Sequence, residues 1–339
     1  MSNSAAVDIT AKRVLVTGAA GFIGFHTCHK LLALGCRVLG LDDLNAYYDV
    51  ALKHARLARL DGLEGFAFER CDVADKARML SLIADFQPHY VVHLAAQAGV
   101  RFSLQDPAQY VRANVDGFLA VLEACRARPV SHLLYASSSS VYGANTKVPF
   151  SEADRVDDPR SLYAVTKRTN ELMAHTYAEL FGIAASGLRF FTVYGPWGRP
   201  DMAYFSFTKA ILDGRPIDVF NHGQMQRDFT YIDDVVEAIA RLLPLAPEAT
   251  AASGRAAAAH RIYNVGNHAP VALGDFIGVI EAALGRKAQR RMLPMQPGDV
   301  PITYADVARL AAAVDFAPAT PLEEGMKRFV AWYRQFYNA

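Results

Sequence analysis

The sequence predicts an α/β fold in which a parallel sheet is covered by helices on both faces. Short, nearly continuous apolar runs alternate with longer segments of helical spacing, and a glycine-rich turn closes the first run. Runs that are apolar throughout belong to strands buried on both sides, as βαβ crossovers require. The 339 residues are 52% hydrophobic and 20% charged, enough to bury one large core or two apposed ones and too apolar for disorder.

Arg13–Thr17 (RVLVT) reads as the first buried strand. Residues 22–34 have helical apolar spacing that stops at Gly35. Residues 37–41, Phe66–Arg70, 90–94 and 133–137 continue the strands, and 184–191 reads as a sixth. From about Tyr194 the pattern loosens, where Gly195, Pro196, Gly198 and Pro200 punctuate a loop. Shorter candidates at 203–213, 217–220, 229–232, 234–243 and 261–265 read as a smaller lobe. Residues 244–260, rich in Ala with Pro and Gly, read as a surface loop of that lobe, and Leu322–Tyr337 as an amphipathic closing helix.

Several classes of function are disfavoured. Lys and Arg number 35 against 34 Asp and Glu, so no basic surplus points to nucleic acid. Cys28, Cys36, Cys71 and Cys125 form no CxxC pair and no metal-ligand spacing. The first ten residues lack the basic start and apolar run of a signal peptide, and no apolar stretch approaches the roughly 20 residues of a membrane span. A cytoplasmic protein without metal or membrane is the expectation.

Gly18, Gly21 and Gly24, with Phe22 and Ile23 between them, end the first strand and open a helix. Glycines there allow a tight turn and close backbone approach to a pyrophosphate, which the helix N-terminus favours. The spacing is GxxGxxG rather than GxGxxG, so the motif gains weight from its context. Asp42 closes the second strand, where a carboxylate grips the adenosine ribose and disfavours a 2′-phosphate, which selects NAD over NADP. Asp72 follows the third strand, within reach of the adenine amino group; the alternative for both acids is a solvated loop. Leu94, Ala95, Ala96 and Gln97 follow the fourth strand, and Asn45, Val73, Asn114 and Phe190 complete the expected cofactor set. The fold class is a Rossmann-type doubly wound parallel sheet with a smaller C-terminal α/β substrate lobe. Residues 11–194 form the expected NAD-binding domain and 195–339 the lobe, with chain crossovers allowed.

Tyr163 and Lys167 form a YxxxK pair whose i, i+4 spacing puts both on one helical face. A phenol with a pKa of about 10 is a poor base at neutral pH, and a nearby ammonium lowers it. Lys167 also suits the nicotinamide ribose, which gives Tyr163 and Lys167 a share in the cofactor site. The fifth strand ends in a serine run, where a hydroxyl can hold a reacting alcohol against Tyr163. YxxxK and serine runs are common singly; their order behind a glycine turn on βαβ elements is specific.

The segments GLDDLNAYYDVALKHARL (40–57), AAQAGVRFSLQDP (95–107), YASSSSVYGANTKVPF (135–150), SLYAVTKRTNELMAH (161–175), FFTVYGPWGRPDMA (190–203) and PMQPGDVPITYAD (294–306) carry a resemblance. From about Arg13 to the C-terminus the chain resembles the extended short-chain dehydrogenase/reductases of the nucleotide-sugar epimerase/dehydratase family. It is most similar to those acting on UDP-glucuronate.

The resemblance implies NAD-dependent 4-epimerisation of a UDP-sugar, UDP-glucuronate to UDP-galacturonate, through a transient 4-keto sugar. Tyr163 takes the proton of the 4-hydroxyl while a hydride passes to a tightly held NAD. The ketone swings about its pyrophosphate and is reduced on the other face. Ser138 matches the hydroxyl that bonds the 4-oxygen, and Ser140, on the same side of the strand, shares the candidacy. Family dehydratases carry an Asp-Glu pair, and decarboxylases a Glu, where Ser139 and Ser140 stand here, so elimination is disfavoured. Arg227 matches a pyrophosphate ligand and Phe220 a uracil contact, with Asp299 in the same substrate set. Thr192 and Gln296 replace an Asn and an Arg of the galactose type. Arg199, assisted by Thr192, is the expected clamp for the sugar carboxylate, with Arg101 as second candidate and a loop-capping role for Arg199 as the alternative. The resemblance also implies a homodimer joined through helices at 106–126 and 160–181. The rival functions are epimerisation of another UDP-sugar, decarboxylation or dehydration, and a catalytically silent NAD-binding regulator.

Overall fold

The computed structural model describes residues 8–252, 255–257, 259–296 and 298–339. The first half runs β1 (Arg13–Thr17), α1 (Phe22–Ala33), β2 (Arg37–Asp42), α2 (Val50–Leu60), β3 (Phe66–Arg70), α3 (Lys76–Phe86) and β4 (Tyr90–His93). It continues through α4 (Pro107–Tyr110), a π-helical turn (Val111–Asp116), α5 (Gly117–Ala127), β5 (His132–Ser138), α6 (Leu162–Phe181) and β6 (Ala185–Phe190). The second half contains β7 (Thr192–Tyr194), α7 (Ala203–Leu212), β8 (Ile217–Val219), β9 (Gln226–Tyr231), α8 (Ile232–Leu242), β10 (Thr250–Ala252), β11 (Arg255–Ala257) and β12 (His260–Val265). It ends with β13 (Pro270–Ala272), α9 (Leu273–Leu284), β14 (Arg290–Met292), α10 (Ala308–Val314) and α11 (Leu322–Tyr337).

Seven strands form one sheet in the order β12-β6-β5-β4-β1-β2-β3, with every pair parallel. The two-residue period of a strand sorts its core. Val14, Val16 and Val38 join Phe25, Leu31 and residues of α8 in one cluster. Leu15 and Leu39 pack with Met79, Phe118 and Ala174 of α3, α5 and α6 in the other. This explains the unbroken apolar reading of β1. The helices begin where the sequence supplies caps: Asp75 accepts from Arg78 N and Ser161 from Ala164 N. The longest, α6, ends on Gly182 at φ +69°.

Three segments differ from the sequence reading. Residues 261–265, assigned to the smaller lobe, lie in β12, which pairs with β6 at the edge of the large sheet. An otherwise open edge takes a partner from far along the chain, which local periodicity does not encode. The run 184–191 is split: β6 ends at Phe190, and Thr192 begins β7, which pairs with β9 in a small β13-β9-β7 sheet. The loop at 244–260 contains the antiparallel hairpin β10-β11. Among the described residues no helix is long and apolar enough to cross a membrane, and all four cysteines are free and buried.

Candidate active site

The strand order reverses between β1 and β4, and a cleft opens at the carboxyl ends of the strands, where such sheets bind ligands. It encloses about 1120 Å³ between the large sheet and the smaller lobe. All the sequence-predicted site residues line it except Asn114. Asn114 is buried and fully employed: Oδ1 accepts from Gln97 N at 2.8 Å, and Nδ2 donates to Gln97 O and Thr166 Oγ1. It braces the strand-end segment against α6 instead of facing the cleft.

At the dinucleotide end, Gly18 holds φ +73°, and a Cβ there would come within 2.8 Å of Ala95 N. Gly21 caps α1 without a side-chain hydrogen bond, and the first turn carries no acid. The helix thus presents its N-terminal amides to the cleft uncompensated, which fits a pyrophosphate. Asp42 accepts from Ala20 N at 3.1 Å and Leu44 N at 2.9 Å, with Lys53 Nζ at 3.5 Å. Burial raises its pKa and Lys53 opposes that. Asp72 is partly occupied by Arg112, 2.6 Å away.

The catalytic candidates meet where β5 and α6 face each other. Ser138 caps the turn after β5, accepting from Ser140 N at 3.2 Å and donating to Ser140 Oγ at 3.1 Å. Of the two serines, Ser138 is the one that acts on the Tyr163 phenol, and Ser140 is held to Ser138. Lys167 is buried and donates to Ala136 O at 2.9 Å. Burial pushes its pKa down to about 7. Burial likewise pushes Tyr163 up, and the Ser138 hydrogen bond and the Arg199 charge pull it back. The sequence assigned that pull to Lys167. Arg199 is a cation that the sequence did not place beside Tyr163.

At the sugar and nucleotide end, Arg199 is 22% exposed and paired with Asp201, from Nε at 3.1 Å and Nη2 at 2.5 Å. Arg227 contacts Asp299 at 2.8 Å. Arg101 lies over the Phe220 ring, 4.7 Å from its centroid.

Residues 14–266 match the model of the NAD dependent epimerase/dehydratase family. The chain belongs to that family. It is 54% identical to an uncharacterised 37.6 kDa protein of Escherichia coli O111:H-, over 96% of this chain and 99% of that one. It is 49% identical to a probable UDP-glucuronate 4-epimerase of Rhizobium meliloti, over 96% and 98% of the two chains. The solved UDP-glucuronic acid 4-epimerase of Bacillus cereus, in complex with UDP-glucuronic acid and NAD, superposes with a TM-score of 0.87 at 33% identity, covering 96% of this chain and 100% of that one. The cofactor of this chain is NAD, and the cleft's glycine turn and uncapped helix fit it.

This member of the NAD dependent epimerase/dehydratase family carries further site residues that the sequence reading did not single out. Arg56 of α2 is fully buried and has no carboxylate partner among the described residues. It donates to Ala20 O in the glycine turn, to Trp197 O and Gly198 O in the loop before Arg199, and to Tyr48 Oη. It thereby ties the cofactor turn to the sugar-side loop. Glu171 of α6 binds Arg189 of β6 and Ser137 of β5 beneath the serines. Asp201 was visible only as an opposite charge two residues after Arg199, and Tyr47 only as a loop aromatic.

Proposed function

We propose that this protein is an NAD-dependent UDP-sugar 4-epimerase and that its sugar is glucuronate, converted to UDP-galacturonate. The observation that carries the sugar is Arg199: a guanidinium lining the cleft beside Tyr163, with its Nη1 free of hydrogen bonds among the described residues. A guanidinium fork suits a carboxylate far better than a neutral hydroxymethyl group. Thr192 lines the same wall.

Tyr163, oriented by Ser138, takes the proton as the 4-oxygen becomes a ketone, and returns it when the opposite face is reduced. Bound NAD supplies the hydride acceptor and is regenerated within the cycle. Lys167 holds the nicotinamide ribose, while the Gly18–Gly24 turn, Asp42 and Asp72 hold the rest of the dinucleotide. Arg227 grips the sugar-nucleotide pyrophosphate and Phe220 packs the uracil. Serines at 139 and 140 leave no carboxylate beside Ser138 for an elimination. The test is incubation with UDP-glucuronate and NAD far below stoichiometry. Full equilibration with UDP-galacturonate is expected, and no epimer, or release of carbon dioxide, defeats the reading. Arg199→Ala should lower kcat/KM for UDP-glucuronate about 10- to 100-fold, the value of a charge-assisted hydrogen-bond pair, and change UDP-glucose binding little. Equal losses for both nucleotides would sink the clamp.

We also propose a homodimer. Val111 and Leu119, together with Val165, Leu172, Leu180 and Phe181 of α6, are all exposed by more than a third. Such an apolar helical face favours a partner face of the same kind. Sedimentation should report twice the 37.1 kDa chain, and Leu172→Glu should halve it while the monomer stays folded; a wild-type monomer refutes the proposal.

A further inference from the structure

We infer that Asp201 is a positioning residue that tempers the grip of Arg199 on the sugar carboxylate, so that the ring can let go, turn and be caught again. The inference rests on the glucuronate reading above and deepens it. A guanidinium has a side fork, Nε with Nη2, and an end fork, Nη1 with Nη2. Asp201 takes the side fork, with contacts at 3.1 and 2.5 Å. The end fork is left for the substrate. Asp201 is itself anchored from the opposite lobe: Tyr47 donates to its Oδ2 at 3.4 Å. Tyr47 packs on Phe102, with ring centroids 4.9 Å apart, and Gly99 leaves it room, since a Cβ there would approach Tyr47 Oη to 2.9 Å. The direction in which Arg199 aims is thus set by both walls of the cleft.

The charge has a second consequence. Burial raises the Asp201 pKa, yet Arg199 holds it below the ordinary carboxylate value, so Asp201 is ionised at neutral pH. The pair is already neutral before any sugar acid docks, and a second carboxylate meets repulsion from Asp201 as well as attraction from Arg199. Epimerisation requires the ring, with its carboxylate, to move relative to the anchored pyrophosphate. An unopposed guanidinium would stabilise the bound substrate without stabilising the moving ketone, which slows turnover. Within this part-exposed pair on the cleft wall, Asp201 supplies both aim and release.

A purely structural ion pair bracing the 199–201 loop would behave differently. The experiment uses Asp201→Asn, nearly isosteric and at a part-exposed position, in the NAD-loaded protein. Calorimetric titration with UDP-glucuronate and UDP-glucose is combined with steady-state epimerisation. Removing the charge should tighten UDP-glucuronate binding at least about threefold and lower kcat at least about tenfold, with UDP-glucose affinity unchanged within about twofold. Tighter binding together with slower turnover cannot come from a loosened loop, which weakens both nucleotides. UDP-glucuronate affinity that is unchanged or weaker, or an unchanged kcat, overturns the role of Asp201 while wild-type turnover keeps the glucuronate reading intact. Absence of wild-type turnover of UDP-glucuronate overturns both.

Discussion

Tyr163→Phe should lower kcat by roughly 10²–10⁴-fold, the range for loss of a general acid–base group, and leave NAD bound. The substitution removes one hydroxyl from a ring that stays packed, edge-on to Tyr110 at 6.1 Å. Ser138 has no ionisable carboxylate beside it, and its hydroxyl is already shared with Ser140. Lys167 is committed to Ala136 O, and Arg199 holds its proton too tightly to exchange it. Most of the proposed dinucleotide contacts lie on other residues, on the glycine turn and the ends of β2 and β3, so cofactor retention and UDP-sugar affinity should change by no more than about threefold. Turnover and bound NAD measured on one preparation check this. A variant keeping more than about a tenth of wild-type turnover would move the base to another residue.

How much of this was legible depended on whether the determinant was local. Strands β1, β2, β4 and β5 were readable because each buries both faces, and continuous apolar runs record that directly. β12 was not, since its place beside β6 depends on an open edge some 70 residues earlier in the chain, between residues 190 and 260. The glycine turn was readable from its own residues. The charge state of Lys167 was not: YxxxK spacing predicts proximity to Tyr163 but not the burial that moves the amine to about 7. Asn114 sits close to the cofactor segment in the fold, yet its amide is consumed by Gln97 and Thr166, a satisfaction that only coordinates reveal. Arg56, in KHARLARL, reads as one more solvated basic residue of a helix and is instead the buried tie between two site loops. Arg199 was found through its motif, but the carboxylate occupying its side fork follows from the loop's geometry.

Glu171→Leu should destabilise the protein by about 3–5 kcal/mol, the cost of breaking a buried ion pair from one side. Glu171 and Arg189 are 1% and 2% exposed and joined by bonds of 2.8 and 2.9 Å. Ser137 Oγ adds a third bond at 2.7 Å, and Arg189 stacks over the Tyr142 ring. Removing Glu171 leaves a guanidinium without water or counter-charge, whereas removing both partners leaves neither stranded. Glu171→Leu combined with Arg189→Leu should therefore recover most of the loss, as urea midpoints would register. A single-variant loss below about 1 kcal/mol, the range of exposed pairs, would mean that water reaches the site. The pH dependence has a definite sign. Burial pushes Glu171 up, but Arg189, Ser137 and Arg168 hold it below its ordinary value. Its stabilisation is therefore complete above the unfolded carboxyl value of about 4.3 and is lost as pH falls through the lower folded value. The pair also bears on catalysis by position. Glu171 lies one helical turn beyond Lys167 on α6, and Ser137 and Arg189 immediately precede Ser138 and Phe190 at the ends of β5 and β6. The contact that fixes α6 to those strand ends therefore sets the Ser138–Tyr163 distance. The doubly substituted protein should be stable but slow, separating the pair's contribution to folding from its contribution to alignment.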